Sequence, residues 1–395
     1  MSSGAHSRHG VVASADGAAT QAGAHVLALG GNAVDAALAT SAAMSVVAPH
    51  LCGMGGDLFA LVHVNGEVHA LDAAGRAPSG SNAAHLRAEG HQEMPFHGDI
   101  RTVTVPGAVA GWLELHERFG TLAALGVVET LDLPDDPDDP QWAHLLVEAT
   151  TAVSHDRSAV LHDRADLTTL IPSLISRATM VDPSLASVRP APLADGDTTY
   201  MCTVDRNGMG VSLINSNASG FGSLLVEPST GINLHNRGLG FSLQEGHPAE
   251  LAPGRKPPHT LCPSIITRQD GSLFSVLGTM GGDAQPQILL QIITRMLRND
   301  QSRFPWETVD AGRFALRGPR TGFDTWTSAV PPVVTIEGHA PDAWASGLAD
   351  RGHAVERRRR FDSGFGHAHA IVIRDDGTMA GGADSRTIVG TCAGL

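Results

Sequence analysis

Asp197-Thr198-Thr199-Tyr200-Met201-Cys202-Thr203-Val204-Asp205, at the midpoint of the chain, is the stretch on which the fold is decided. A threonine hydroxyl is a weak nucleophile until a base sits beside it. One solution makes the threonine the first residue of a chain, so that its own α-amine is that base. Here the threonine is internal, so this chemistry requires the protein to cut itself before Thr198. The plain alternative is that Thr198 and Thr199 open a β-strand, where threonine is enriched. Taken alone, the stretch favours the strand; its surroundings reverse that balance.

Upstream, residues 181–197 have no period and carry Pro190 and Pro192, the mark of an exposed connection where a chain break is tolerated. Downstream, strands over 199–204 and 210–215 flank Asp205-Arg206-Asn207-Gly208, a hairpin signal. Further strands are expected at 264–267, 272–277, 370–373 and 379–383, with a long helix near 285–297. The first half opens with a strand at 10–15, a small-residue helix at 17–29 stopped by Gly30-Gly31, and an alanine-rich helix at 32–47. A glycine-rich turn at 49–56 leads into a hairpin, 58–64 and 67–71, about Asn65-Gly66. Residues 102–107 read as another strand, 108–119 as an amphipathic helix, 133–140 as an acidic proline-rich linker and 141–153 as a helix. This order fits two sheets packed between helical layers.

With 395 residues, 42% of them hydrophobic, and a mean hydropathy near zero, the chain reads as a soluble globular protein of one large or two medium domains. A net charge of -14 argues against nucleic acid or an anionic membrane as partner, because phosphates would be repelled. The run Arg357 to Arg360 stands alone and reads as a solvated face or a local ion-pair site. No apolar stretch is long and unpunctuated enough to span a bilayer, and the N-terminus lacks the hydrophobic core of a signal peptide. Cys52, Cys202, Cys262 and Cys392 show no CxxC spacing, so reduced thiols and a cytoplasmic protein are expected. His367-Ala368-His369 places two imidazoles on one strand face without a carboxylate or cysteine at ligand spacing, so no metal and no cofactor is expected.

Longer strings carry more information than Thr-Thr. Gly30-Gly31-Asn32-Ala33-Val34-Asp35-Ala36-Ala37, Gly53-Met54-Gly55-Gly56-Asp57-Leu58-Phe59 and Val105-Pro106-Gly107-Ala108-Val109-Ala110-Gly111-Trp112 occur in the first half. Gly278-Thr279-Met280-Gly281-Gly282 and Ala383-Asp384-Ser385-Arg386 follow in the second. In this order they resemble the γ-glutamyltranspeptidase family, collinear over residues 11–119 and from 144 to the C-terminus. The resemblance implies an α+β protein, a four-layer αββα N-terminal-nucleophile hydrolase sandwich. It is made as a precursor that cuts itself into two associated subunits, 1–197 and 198–395, forming one composite domain. It further implies cleavage between Asp197 and Thr198, with Thr198 the free nucleophile attacking a γ-glutamyl amide such as glutathione. Water or an acceptor amine then resolves the acyl-enzyme. The chemistry agrees: a free α-amine titrates at about 7.7–8.0, near enough to neutral for general-base work worth roughly 10²–10⁴ in rate.

By the same resemblance Gly281-Gly282 is the oxyanion-stabilising pair, where backbone N–H groups approach substrate without a Cβ in the way; taken alone it is a plain turn. Ser216 falls where the family has a hydroxyl beside the nucleophile, with an ordinary strand serine as the alternative. Arg76 is the candidate clamp for a substrate carboxylate, displaced by two residues from the family's arginine, or else a surface arginine. Asn236 and Arg237 stand in the segment that contacts substrate, Gly240 occupies its acidic position, and His259-Thr260 replace a serine pair. Asn236-Arg237-Gly238 resembles a divergent, hydrolase-like branch. The long segment that normally follows Glu117-Arg118-Phe119-Gly120 is reduced to about twenty residues before a later part of the large subunit resumes at His144. Three readings follow: a γ-glutamyl hydrolase or transferase; an acylase for other amides such as β-lactam side chains; or an uncut, non-catalytic relative. The shortened first half also leaves room for a homo-oligomer in which a second copy covers exposed core.

Overall fold

The computed structural model describes residues 3–120, 197–247, 249–298, 304–317, 333–349 and 354–395; the expected linker at 133–140, helix at 141–153 and connection at 181–196 lie outside them. Strands are numbered in chain order. One sheet holds β2 (Gly10–Ser14), β3 (Asp57–Val64), β4 (Glu67–Ala73), β5 (Asp197–Asp205), β6 (Gly210–Ala218) and β16 (Thr391–Gly394). They lie in the order β16-β2-β5-β6-β3-β4 with every neighbouring pair antiparallel. The second sheet holds β1 (Ser3–Ser7), β9 (Ser264–Thr267), β10 (Leu273–Thr279), β14 (Ala368–Ile373) and β15 (Met379–Ala383), in the order β1-β15-β14-β10-β9.

The threonine-rich stretch is thus a strand, and its reversal is built by Asp205, whose carboxylate accepts from the N–H groups of Asn207 (2.8 Å) and Met209 (3.2 Å). Along β5, Met201 faces outward and packs with the helices Gly17–Ala28, Ala33–Val47 and Ala108–Phe119. Tyr200, Cys202 and Val204 face inward, against Leu273, Val276, Ile371 and Met379 of the second sheet. The far face of that sheet is covered by helices Gln285–Arg298 and Pro305–Asp310 through Ile288, Leu289, Ile292 and Val309. The layers run helix, sheet, sheet, helix, the expected α+β sandwich. No described helix is long and apolar enough to cross a membrane.

Local chemistry explains the boundaries. Asn32 and Asp35 form a capping box that starts the helix Ala33–Val47, and Asn65 and Gly66 take φ of 54° and 81° in the β3–β4 turn. The strand expected at 102–107 is not one. A single 3₁₀ turn, Ile100–Thr102, is followed by extended chain whose N–H groups reach unrelated carbonyls, Val105 to Arg76 and Gly107 to Gly56. Pro106 between them has no N–H to give a ladder. Arg357, Arg358 and Arg359 each meet a nearby carboxylate, as the local ion-pair reading expects.

The three-stranded ladder β11 (Phe314–Arg317), β12 (Val333–Glu337) and β13 (Val355–Arg358) is tied to the sandwich by buried charges. Arg313 donates to Asp384 at 2.7 Å, and Arg386 donates to Asp384 at 2.9 Å and to Glu337 at 2.9 Å. Burial alone would raise the Asp384 carboxyl, but the two guanidiniums and two backbone N–H groups hold it far below the usual range.

His369, on β14 opposite Gly278, stacks on Tyr200 and is fully buried, with neither ring nitrogen hydrogen-bonded. Burial pushes it down to about 3, and His367 to about 4. Folded-state values below the unfolded one mean that the unfolded chain binds the extra protons, so stability falls as pH drops below about 6.5. His369→Leu is expected to narrow the difference between urea midpoints measured at pH 8 and pH 5. An unchanged difference would show that this imidazole is not the group linked to acid sensitivity.

Candidate active site

Register brings Asp57 of β3, Ser216 of β6 and Thr198 of β5 into one row across three strands, all on the face toward the second sheet. All three are buried. Thr198 Oγ1 lies 2.9 Å from Ser216 Oγ. Next to the expected scission point the ladder is bulged. Thr198 pairs with Ser216 and Asp197 with Ala218, so Asn217 stands unopposed. The bulge puts Ala218 in the left-handed region (φ 77°), and Phe221 and Leu224 follow at 66° and 58°. Three non-glycine residues in that region within one short loop mark stored backbone strain, which concentrates at functional sites.

Gly281 and Gly282 follow β10 with φ of 135° and 55°, conformations that side chains rarely adopt, and lead into the helix Gln285–Arg298. Packing fixes their end of the sandwich. Gly210, beside Val204, abuts Leu273, and Gly278 abuts the Tyr200 ring, so β10 advances toward the Thr198 end of β5. The Gly-Gly turn therefore lies beyond β10 on the side where the threonine is found.

Beneath the row sits Arg237. Its Nε donates to one oxygen of Asp57 at 2.5 Å, and Nη2 to the other at 3.1 Å and to Ser216 Oγ at 3.0 Å. Arg237, expected from the sequence to contact substrate, is 1% exposed and is engaged with Asp57 and Ser216. Asn236, expected in the same role, is buried too. Its amide donates to the carbonyls of Phe96 (3.0 Å) and Ser219 (2.8 Å) and accepts from Ser219 N–H (2.9 Å), which locks a loop. A Cβ on Gly240 would lie 2.1 Å from the Pro258 carbonyl oxygen, so the acidic position cannot hold a side chain in this backbone. Arg76 is exposed and donates to the Gly254 carbonyl at 2.9 Å. His259 packs on Phe59, and burial, then the Arg237 charge, lowers its pKa. Thr260 Oγ1 is shut off from solvent without a hydrogen-bond partner.

Asp57 and His235 were not picked out from the sequence, and His367 was weighed there only as a metal ligand. Asp57 lies inside a quoted string, and its signal was a carboxylate at the head of an apolar strand. His235 is buried with Nε2 on the Thr104 carbonyl at 2.9 Å and Nδ1 3.9 Å from Asp57, so Nε2 carries the proton; burial lowers its pKa. His367 meets Ser363 Oγ at 2.9 Å. Among the described residues no group of three or more His, Cys, Asp or Glu is arranged to hold a metal ion.

The model of the Gamma-glutamyltranspeptidase family matches residues 19–129 and 121–393. The chain belongs to the γ-glutamyltranspeptidase family. Among relatives in this family are the oxamate amidohydrolase proenzyme of Klebsiella pneumoniae and the glutathione hydrolase-like YwrD proenzyme of Bacillus subtilis. The first is 27% identical over 96% of this chain and 98% of the relative, the second 26% over 93% and 95%. The crystal structure of cephalosporin acylase from Bacillus halodurans superimposes with a TM-score of 0.74 at 24% identity, covering 99% of this chain and 97% of that one, a likeness of fold. Membership supports amidohydrolase chemistry on an N-terminal-nucleophile scaffold.

The close approach at Gly240 gives a direct check on the missing acidic position. Gly240→Ala is expected to lower the free energy of unfolding by about 1–3 kcal/mol, as overpacking does. A denaturant titration showing a loss below roughly 0.5 kcal/mol, the size of an ordinary surface change, would mean that a side chain fits there.

Proposed function

We propose that the chain is an autoprocessed amidohydrolase whose Thr198, freed by scission after Asp197, attacks small amides and passes the acyl group to water. The observation that carries this reading is the buried Thr198–Ser216 hydroxyl pair at the head of β5, in a chain of this family. Thr198 Oγ would add to the amide carbon while its proton goes to the Thr198 α-amine. Backbone N–H groups of Gly281 and Gly282 would face the oxyanion, where one such donor is worth about 2.7–4 kcal/mol. The amine leaves with that proton, and water, activated by the same α-amine, releases the acid and regenerates Thr198.

Residues 1–197 then form a shortened large-subunit-like region and 198–395 the catalytic one. In support, the family model matches in two pieces that meet at 121–129, and the alignment with the oxamate amidohydrolase runs over 528 positions, more than this chain contains.

On substrate, the segment that would hold an α-amino group offers no free acceptor: Arg237 is bound to Asp57, Asn236 to its loop, and the acidic position is Gly240, with only the exposed Arg76 left as a carboxylate clamp. We infer an acyl group without that head, oxamate-like or a simple side-chain acyl, ahead of γ-glutamyl amides such as glutathione, and water ahead of an amine acceptor. The free cysteines fit a cytoplasmic setting.

A denaturing gel of purified protein should give two bands of about equal size, and Thr198→Ala one uncut band. Of three assays, ammonia release from oxamate and acid release from a β-lactam side-chain amide should exceed turnover of a γ-glutamyl anilide. Adding an acceptor dipeptide should leave that turnover unchanged. A single band from the unaltered chain would sink the enzyme reading, and transfer to the dipeptide would sink the hydrolase one.

A further inference from the structure

Arg237 is separated from the reacting threonine by one hydroxyl, and the geometry around that hydroxyl is specific. Ser216 Oγ receives the Arg237 Nη2–H at 3.0 Å and the Ala218 backbone N–H at 2.9 Å. A hydroxyl oxygen has two lone pairs, and here both are taken by N–H donors. Thr198 therefore cannot donate into Ser216, although their oxygens are 2.9 Å apart. With both acceptor positions of Ser216 filled, the Thr198 hydroxyl proton is left to point away from Ser216.

We propose that the Asp57–Arg237 pair is the positioning device of the nucleophile: it fixes Ser216 as a full acceptor, so that the Thr198 hydroxyl proton is directed to its base. Arg237 acts through Ser216 and does not touch the substrate. Asp57 holds the guanidinium by a two-point grip, which fixes the plane from which Nη2 reaches Ser216. The Ala218 N–H is delivered by the bulge and its left-handed residue, so the irregular ladder and the ion pair converge on the same oxygen. A lysine could neutralise Asp57 but offers a point charge instead of a planar fork, and cannot reproduce both contacts in the same geometry.

This inference rests on Thr198 being the N-terminal nucleophile, and the test separates the two. Arg237→Lys keeps a cation beside Asp57, and Asp57→Asn with Arg237→Gln replaces the pair by neutral groups, so neither leaves an isolated buried charge. Both variants, the unaltered chain and Ser216→Ala are followed by rate of self-cleavage, kcat and KM on the best amide, and the pH dependence of kcat/KM. Arg237→Lys should lose roughly 10- to 100-fold in kcat, within the range of a misdirected proton transfer, with KM changed less than about twofold. In the neutral pair kcat should fall by a similar factor with KM again little changed. The acid limb of kcat/KM, set by an α-amine near 7.7–8.0, should shift, because the hydroxyl partner of Thr198 has lost its charged donor. A raised KM with kcat kept would make Arg237 a substrate contact and overturn the proposal. A folded neutral-pair variant with unchanged kcat and unchanged acid limb would make the pair merely structural and overturn it too. If Arg237→Lys does not fold, the neutral pair alone decides. An unaltered chain that stays uncut fails at the nucleophile itself, before any Arg237 variant is compared.

Discussion

A buried carboxylate and a buried guanidinium bound to each other, Asp57 and Arg237, constrain much of what surrounds them. Removing one partner of such a pair costs on the order of 3–5 kcal/mol, because the other charge is left uncompensated. That is a large part of a total stability of roughly 5–15 kcal/mol. The two residues sit 180 positions apart and come from different elements, so both must be delivered accurately. Asp57 heads a strand fixed on both sides, and Arg237 lies in a loop with no sheet to hold it. The loop is held by its backbone instead. His235 N–H reaches the Gly55 carbonyl, Asn236 N–H reaches that of Asn217, and Gly55 passes so close to Asn233 that a Cβ would meet its carbonyl oxygen at 2.2 Å. Gly55 is thus required by the approach of the segment that brings in Arg237, and Gly56 by the Ser216 carbonyl oxygen, which a Cβ would meet at 2.5 Å.

The same logic recurs at the far side of the molecule. Arg313, Asp384, Arg386 and Glu337 are all buried and joined in one network, which attaches the small ladder to the sandwich. Both networks stand where irregular chain must be held to regular sheet. Apolar packing specifies the sheets well, since side chains interdigitate along whole strands. It specifies single loops poorly, and there directional charge-assisted bonds fix position instead.

What the sequence made legible follows from this division. The helices at the N-terminus, the Asn65-Gly66 hairpin, β5 with its Asp205 turn, and the helix after Gly281-Gly282 were read correctly, because each carries a local periodic or turn signal. β1 and β16 were missed. Ser3–Ser7 and Thr391–Gly394 are short and carry no apolar alternation, and each is a strand only because β15 or β2 offers it a ladder. The proline-interrupted run at 102–107 looked like a strand by residue type, yet its bonds go to separate loops. At the site, the hydroxyl pair was legible by position, but the direction of Arg237 was not. Spacing tells which residues share a segment and is silent on whether a side chain in a 3₁₀ turn points to the pocket or beneath it.

That inward turn changes what the rest of the pocket can recognise. With Arg237 neutralised by Asp57, the site's character falls to groups of another kind. Burial lowers the pKa of the two histidines nearest Asp57 and Arg237, His235 and His259. Of these, His259 packs on Phe59, whose strand carries Asp57. Neutral imidazoles donate or accept single hydrogen bonds and do not attract a substrate from a distance, whereas fixed charges do both. Recognition by short-range bonding tolerates variation in the acyl group, since no single ion pair has to be matched. The chemistry then depends on the threonine, its hydroxyl partner and the charges that hold that partner still. On the proposed mechanism the arginine serves the reaction through Ser216.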